Sequence, residues 1–359
     1  MVVHALFLII VLICSLLPKK EQRRGILVCG FILFILFAFK GFNVGKDTPS
    51  YIYEYITNSY TTEYDSENFE PGRTIFQAVC KLVGLGARGY LIIVSIIICI
   101  PLIKIIKRYS IDPCFAFLLY LTIGNYTFNM TGIRQSIAIS IIIGGVLIAF
   151  KHKYLLRRIF VLFVAVIIAS LMHKSSLFCL ILIPFLCFWR IPRKLVLLMT
   201  AIPLVLLLLK SSVSSFYTLF LVGKYKAYDS FETDPNIIAY FVIPYVIYLY
   251  STYLFLLWDK RHNIDKNSCK DRLVVFCYLA SWLYAVIAGA SIAFPITTRF
   301  IYYVNLFTFI LISNLLQIQN KENKRIHKLG IAIVCVLFFL VTTPGGILAI
   351  DNYYFSFDK

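Results

Sequence analysis

Apolar runs of about 15 to 25 residues recur along the whole chain, and no other feature constrains the fold as tightly. A helix of about 20 residues covers a hydrocarbon core of about 30 Å. Inside that core every backbone N–H and C=O must find its partner within the protein. The runs fall at roughly 2–17, 25–42, 89–103, 113–131, 133–150, 159–172, 175–189, 195–209, 236–258, 273–294, 296–318 and 329–343. None shows the short alternating pattern of a strand barrel. With 60% hydrophobic and 14% charged residues, the chain has too little polar surface to coat a water-soluble globule. The expectation is an all-α, polytopic integral membrane protein with about 12 transmembrane helices, forming a single membrane domain over 1–359. The first run, Val2 to Leu17, lacks a basic flank and a small-residue cleavage site, so it reads as a retained span.

The positions of the charges supply the orientation. The net charge is +18, yet 23 of the 35 lysines and arginines sit in six short clusters between apolar runs. These clusters begin at Lys19, Lys104, Lys151, Arg190, Lys260 and Lys321. Each falls in an alternate connection, which places those connections in the cytoplasm and both termini outside. A nucleic-acid partner is not expected, because that would need one contiguous basic face. The partners expected are membrane lipids. Two outer segments are long enough for structure of their own, 43–88 and 210–235, and Ser211 to Val222 within the second reads as an interfacial helix. The ten cysteines mostly lie inside apolar runs without metal-ligand spacing, so no metal site is expected. A glycine-rich nucleotide loop is also missing from the sequence.

Three constellations carry chemistry, and all three fall where a helix enters from the outer side. Thr131-Gly132-Ile133-Arg134-Gln135-Ser136 opens the fifth run. A helix N-terminus presents free N–H groups and the positive end of its dipole, so Arg134 there is unfavourable unless an anion reverses the sign. Pro295-Ile296-Thr297-Thr298-Arg299 opens the eleventh run and puts Arg299 in its first turn. Met172-His173-Lys174-Ser175-Ser176 breaks two short apolar runs, and an ionisable residue so placed usually faces a bundle interior or wet cavity. Together they ask for an anion near the outer face, and a lipid pyrophosphate fits. The loop 43–88 adds carboxylates able to take a proton from an attacking hydroxyl, Asp47 (one helical turn before Tyr51) and Glu70 in Phe69-Glu70-Pro71-Gly72. Glu63, Asp65 and Glu67 read as a solvated acidic stretch.

In this order the blocks resemble the EpsG family of bacterial exopolysaccharide proteins, a branch of Wzy-like polymerases. The resemblance rests on Gly45-Lys46-Asp47 with Tyr51, the Glu70 segment, Gly132-Ile133-Arg134-Gln135-Ser136-Ile137-Ala138, His173 with Ser175 and Ser176, Lys224-Tyr225 with Tyr228, and Arg299 with Tyr302 or Tyr303. Where the family has a small residue after its histidine, this chain has Lys174. The resemblance implies extension of a surface glycan from repeat units carried on undecaprenyl pyrophosphate, without cofactor or nucleotide sugar, beside other polysaccharide-assembly proteins. It also implies a GT-C-like glycosyltransferase architecture in the bacterial cytoplasmic membrane. On this reading Arg134 and Arg299 hold the pyrophosphate, and His173, Asp47 and Glu70 are the candidates for proton handling. Gln135, Lys174, Tyr51, Tyr225 and Tyr228 are candidate substrate contacts. A flippase or exporter of lipid-linked oligosaccharide and an O-antigen-ligase-like transferase are the alternative readings.

Overall fold

The computed structural model describes residues 2–57, 70–209, 237–262, 264–265, 267–342 and 353–356. Its described elements are helical, apart from one isolated bridge between Lys40 and Phe355. Helices α1 (Val2–Leu16), α2 (Lys19–Ala38), α3 (Thr48–Thr57), α4 (Pro71–Leu82), α5 (Ala87–Tyr109), α6 (Pro113–Thr122), α7 (Asn125–Thr131), α8 (Ile133–Ala149) and α9 (Leu155–Met172) run through the first half. After them come α10 (Leu182–Phe185), α11 (Arg193–Leu208), α12 (Ile237–Arg261), α13 (Cys269–Ser291), α14 (Thr298–Leu315) and α15 (Lys321–Thr342). Among the described residues, five helical segments are long and apolar enough to cross a membrane: Ala87–Tyr109, Leu155–Met172, Phe241–Arg261, Cys269–Ser291 and Thr298–Ile318. The apolar segments Val2–Leu16, Pro113–Thr122, Ile133–Ala149 and Lys174–Phe185 are shorter. The described residues make an all-helical membrane protein.

Two of the expected apolar helices are broken, each for a local reason. The run 113–131 divides into α6 and α7 at Gly124, whose φ of +83° is a left-handed conformation open to glycine and costly for other residues. The run 175–189 begins as a 3₁₀ segment, Lys174–Ile181, and continues as the four-residue α10. Pro184 sits in that stretch, and a proline has no N–H to donate and crowds the carbonyl four residues back. Segment 43–88 contains α3, α4 and the start of α5. The expected helix over 211–222 lies outside the described residues.

The described chain divides into two compact units, 1–180 with 319–359, and 181–318. In the first, α8 packs on α9 and α5, and α5 packs on α2. At the α1–α2 corner, Gln22 Nε2 donates to the carbonyls of Ser15 (3.2 Å) and Leu17 (2.9 Å), while Lys328 Nζ of α15 reaches the Ser15 carbonyl at 2.6 Å and Asp112 at 2.8 Å. The 353–356 segment clips onto the end of α2, with Gly41 N donating to the Tyr354 carbonyl and Ser356 N to the Phe39 carbonyl, each at 2.9 Å. In the second unit α13 is the central helix, packed on α14, α12 and α11. Ser268 caps it by accepting from Asp271 N, and the Asp271 carboxylate accepts from Asp265 N at 2.9 Å.

Glycine in mid-helix costs about 1 kcal/mol relative to alanine, and Gly145 on α8 has a packing reason to be there. A Cβ at that position would lie 2.4 Å from Ala165 Cβ on α9. Gly145→Ala is therefore expected to lower thermal stability in detergent by about 1–3 kcal/mol through overpacking, and adding Ala165→Gly should restore part of it. A neutral Gly145→Ala would show that this helix pair has slack.

Candidate active site

The site is assembled in the first unit, beginning at a turn. Gly45 has φ +91°, and a Cβ there would stand 2.6 Å from the Met130 carbonyl oxygen, so the chain passes α7 at a distance open only to glycine. The turn delivers Thr48 as the first residue of α3. Lys40 Nζ donates to Thr48 Oγ1 at 2.8 Å and also to the Met130 carbonyl, while Thr48 Oγ1 lies 3.3 Å from the same carbonyl. The start of α3 is thereby tied to the end of α7, two residues before Gly132 opens α8.

One turn along α3, Tyr51 accepts a hydrogen bond from Arg134 Nε at 3.3 Å, and the guanidinium lies 5.1 Å from the tyrosine ring centre. Asp47 stands one turn before Tyr51, as its spacing implied; Tyr51 N donates to the Asp47 carbonyl at 3.2 Å. The half-buried Asp47 carboxylate acts electrostatically on Lys40 and Tyr51. Burial pushes the Tyr51 phenol above its ordinary value despite the opposing pull of Arg134, so it stays a neutral hydroxyl.

Helix α4 enters from the other side. A Cβ on Gly72 would meet the Leu171 backbone at 2.8 Å, and this close passage sets Glu70 beside the end of α9. Glu70 is only 4% exposed and is met by donors on both oxygens. His173 Nδ1 lies 2.8 Å from Oε1, Lys174 N donates to Oε1 at 3.3 Å, and Arg134 NH1 donates to Oε2 at 3.3 Å. Burial alone would raise the Glu70 pKa. The hydrogen bond and charge of His173, then the Arg134 charge and the Lys174 N–H, outweigh it and hold the carboxyl below its ordinary value. The anion that Arg134 asks for at a helix start is, within the protein itself, Glu70.

Behind these groups lies a second buried set that spacing did not reveal. Arg73 of α4 and Glu54 of α3 form a 2.9 Å ion pair with side chains 1% and 7% exposed. Arg88 at the start of α5 donates to the Ala38 carbonyl at 2.7 Å and the Lys40 carbonyl at 2.9 Å, with Phe42 stacked 4.5 Å away. The available signal was Lys40 itself, an ionisable residue at the end of an apolar run.

Of the other candidates, Gln135 is buried on α8 beside Arg134, and Lys174 is exposed, contributing its backbone N–H to Glu70. Arg299 is the second residue of α14, exposed, in the other unit. Tyr225 and Tyr228 lie outside the described residues.

A model of the EpsG family matches residues 4–353, nearly the whole chain. No curated protein and no solved structure matches it.

A carboxylate held below its ordinary pKa stabilises the fold in full above the unfolded value, and that contribution is lost as pH falls through the folded value. Acidification from about pH 7 to about pH 3 is therefore expected to lower the thermal midpoint of the wild type. Glu70→Gln should be less stable at neutral pH and decline less steeply in acid. Parallel declines in the two proteins would place the acid-labile groups elsewhere.

Proposed function

Since the chain belongs to the EpsG family, we propose that it is a polysaccharide polymerase, one that passes a growing glycan from an undecaprenyl-pyrophosphate carrier to a lipid-linked repeat unit at the outer face of the cytoplasmic membrane. The observation that carries this reading is the meeting of Arg134, His173 and Glu70 at the start of α8 and the end of α9. The cap of α8 is Gly132, which has no side chain to satisfy the first N–H groups of the helix. Those groups and Arg134 form a seat for a phosphate.

In the proposed step the acceptor hydroxyl oxygen bonds to the anomeric carbon while the bond from that carbon to the pyrophosphate oxygen breaks. The electron pair leaves with the pyrophosphate, whose growing charge is stabilised by Arg134 and the N-terminus of α8. Glu70 is a weak base in its present surroundings, so its part is to orient. In the neutral imidazole His173 donates Nδ1–H to it, which leaves the lone pair on Nε2 to take the hydroxyl proton, and the imidazolium so formed is then stabilised by the Glu70 carboxylate. Asp47 and Tyr51 face the acceptor side, with Gln135 and Lys174 as further polar contacts; Tyr225 and Tyr228 enter only through the family resemblance, as candidate sugar contacts. Arg299 enters the scheme through the family resemblance alone, as a further cation for an anionic group of the substrate. The driving force lies in the glycosyl-pyrophosphate bond, and the scheme runs without nucleotide sugar or metal.

The test is polymerisation by purified protein in nanodiscs, supplied with a lipid-pyrophosphate repeat unit and no nucleotide. Wild type should give a ladder of products. Arg134→Ala should lower its rate about 100- to 1000-fold, the cost of one charge-stabilising donor. His173→Ala should lower it about 100-fold or more, and Arg299→Ala should also lose the ladder. Normal ladders from both arginine variants at equal protein level would remove the anion seat from the mechanism. A well-folded wild type that moves the lipid-linked unit across a bilayer and makes no ladder would be a transporter.

A further inference from the structure

The second unit carries a groove that the polymerase reading does not use. It has a volume of about 280 Å³ and lies between α11 and α12, lined by Arg193, Leu197, Tyr253, Leu256, Leu257 and Lys260. On α12 the four lining residues recur at the three- and four-residue spacing of one helix face. Lys260 stands at the end of that helix and Tyr253 two turns further in, about 10 Å away at 1.5 Å per residue. Arg193 is the first residue of α11 and Leu197 the next turn. Both cations therefore sit at one end of the groove, and its body is apolar.

The local charge is not balanced by the protein. Asp259 is shared by Arg193 at 2.9 Å and Arg190 at 3.5 Å, and Asp271, just past the end of α12, is met by His262 at 3.1 Å, so neither carboxylate is turned to Lys260. Lys260 is exposed and has no partner among the described residues, and Lys194 is exposed beside Arg193. The charge alternation assigns this end to the cytoplasmic boundary, where anionic headgroups lie. A ligand for such a groove carries negative charge at one end and about 10 Å of hydrocarbon behind it.

We propose that this groove is a binding site for an anionic phospholipid, whose phosphate lies against Arg193 and Lys260 and whose acyl chain lies along Leu197, Leu256, Leu257 and Tyr253. The positive end of the α11 dipole adds to the attraction. Phosphatidylcholine, with the same chains and no net charge, fits the apolar body and lacks the electrostatic part.

Native mass spectrometry of the purified full chain tests this, with phosphatidylglycerol and phosphatidylcholine of identical acyl chains offered at equal concentration. Wild type should retain phosphatidylglycerol in clear preference. Lys260→Gln should lower that retention about fivefold, the effect of one basic residue near an anionic headgroup, and leave phosphatidylcholine unchanged. Leu197→Trp, which fills the apolar body, should lower both. Lys104→Gln, an exposed cation at the end of α5, should behave as wild type. Equal retention of the two lipids by wild type would overturn the proposal. So would an equal loss in Lys104→Gln and Lys260→Gln, which would mark diffuse attraction to basic loops. Because Lys260 is exposed, its substitution decides the matter even if Leu197→Trp fails to fold.

Discussion

A carboxylate withdrawn from water must be met by donors, and in this protein that demand falls on Glu70. Its two oxygens collect a guanidinium from α8, an imidazole from the end of α9 and the backbone N–H that opens the following 3₁₀ segment. Breaking a buried, hydrogen-bonded charge pair leaves an uncompensated charge, which is far more costly than an exposed pair is valuable. The packing of α4 against the end of α9, possible because Gly72 has no side chain, is thus coupled to the electrostatics of the site. Gly45 serves the same end for α3, where the tie through Lys40 and Thr48 to the Met130 carbonyl fixes Tyr51 against Arg134.

The same contacts that satisfy the buried charge also fix the orientation of the groups around it. A carboxylate bound to Nδ1 of an imidazole selects which nitrogen keeps the lone pair, as in catalytic triads. An arginine shared between a carboxylate and a tyrosine hydroxyl is held in one place before any substrate arrives. Preorganised charge of this kind is worth more than charge that must be assembled during the reaction. Behind it, the Arg73–Glu54 pair joins α3 to α4, and the Arg88 contacts join α5 to the end of α2.

The second unit distributes its charge differently. Among its described residues, Arg190, Arg193, Lys194, Lys260 and Arg261 gather at the start of α11 and the end of α12, with Asp259 shared between two of them. Exposed cations beside an apolar groove are open to a lipid headgroup, whereas the cations of the first-unit cluster are already met by carboxylates of the protein.

Sequence alone determined the class, the helical runs and the position of Arg134 at a helix start, because each follows from local periodicity and from the cost of bare backbone in hydrocarbon. The turn joining Asp47 to Tyr51 was legible for the same reason. The breaks at Gly124 and in the 174–185 stretch were missed because mean hydropathy over a window does not register the positive φ at Gly124 or the N–H that Pro184 lacks. Tertiary structure alone decided that Glu70 is the hub of the site and that Lys40, Glu54, Arg73 and Arg88 brace it. Glu70 is separated from Arg134 by 64 residues and from His173 by 103. Contacts at such separations depend on how closely helices pass one another, which here was set by single absent Cβ atoms at Gly45 and Gly72.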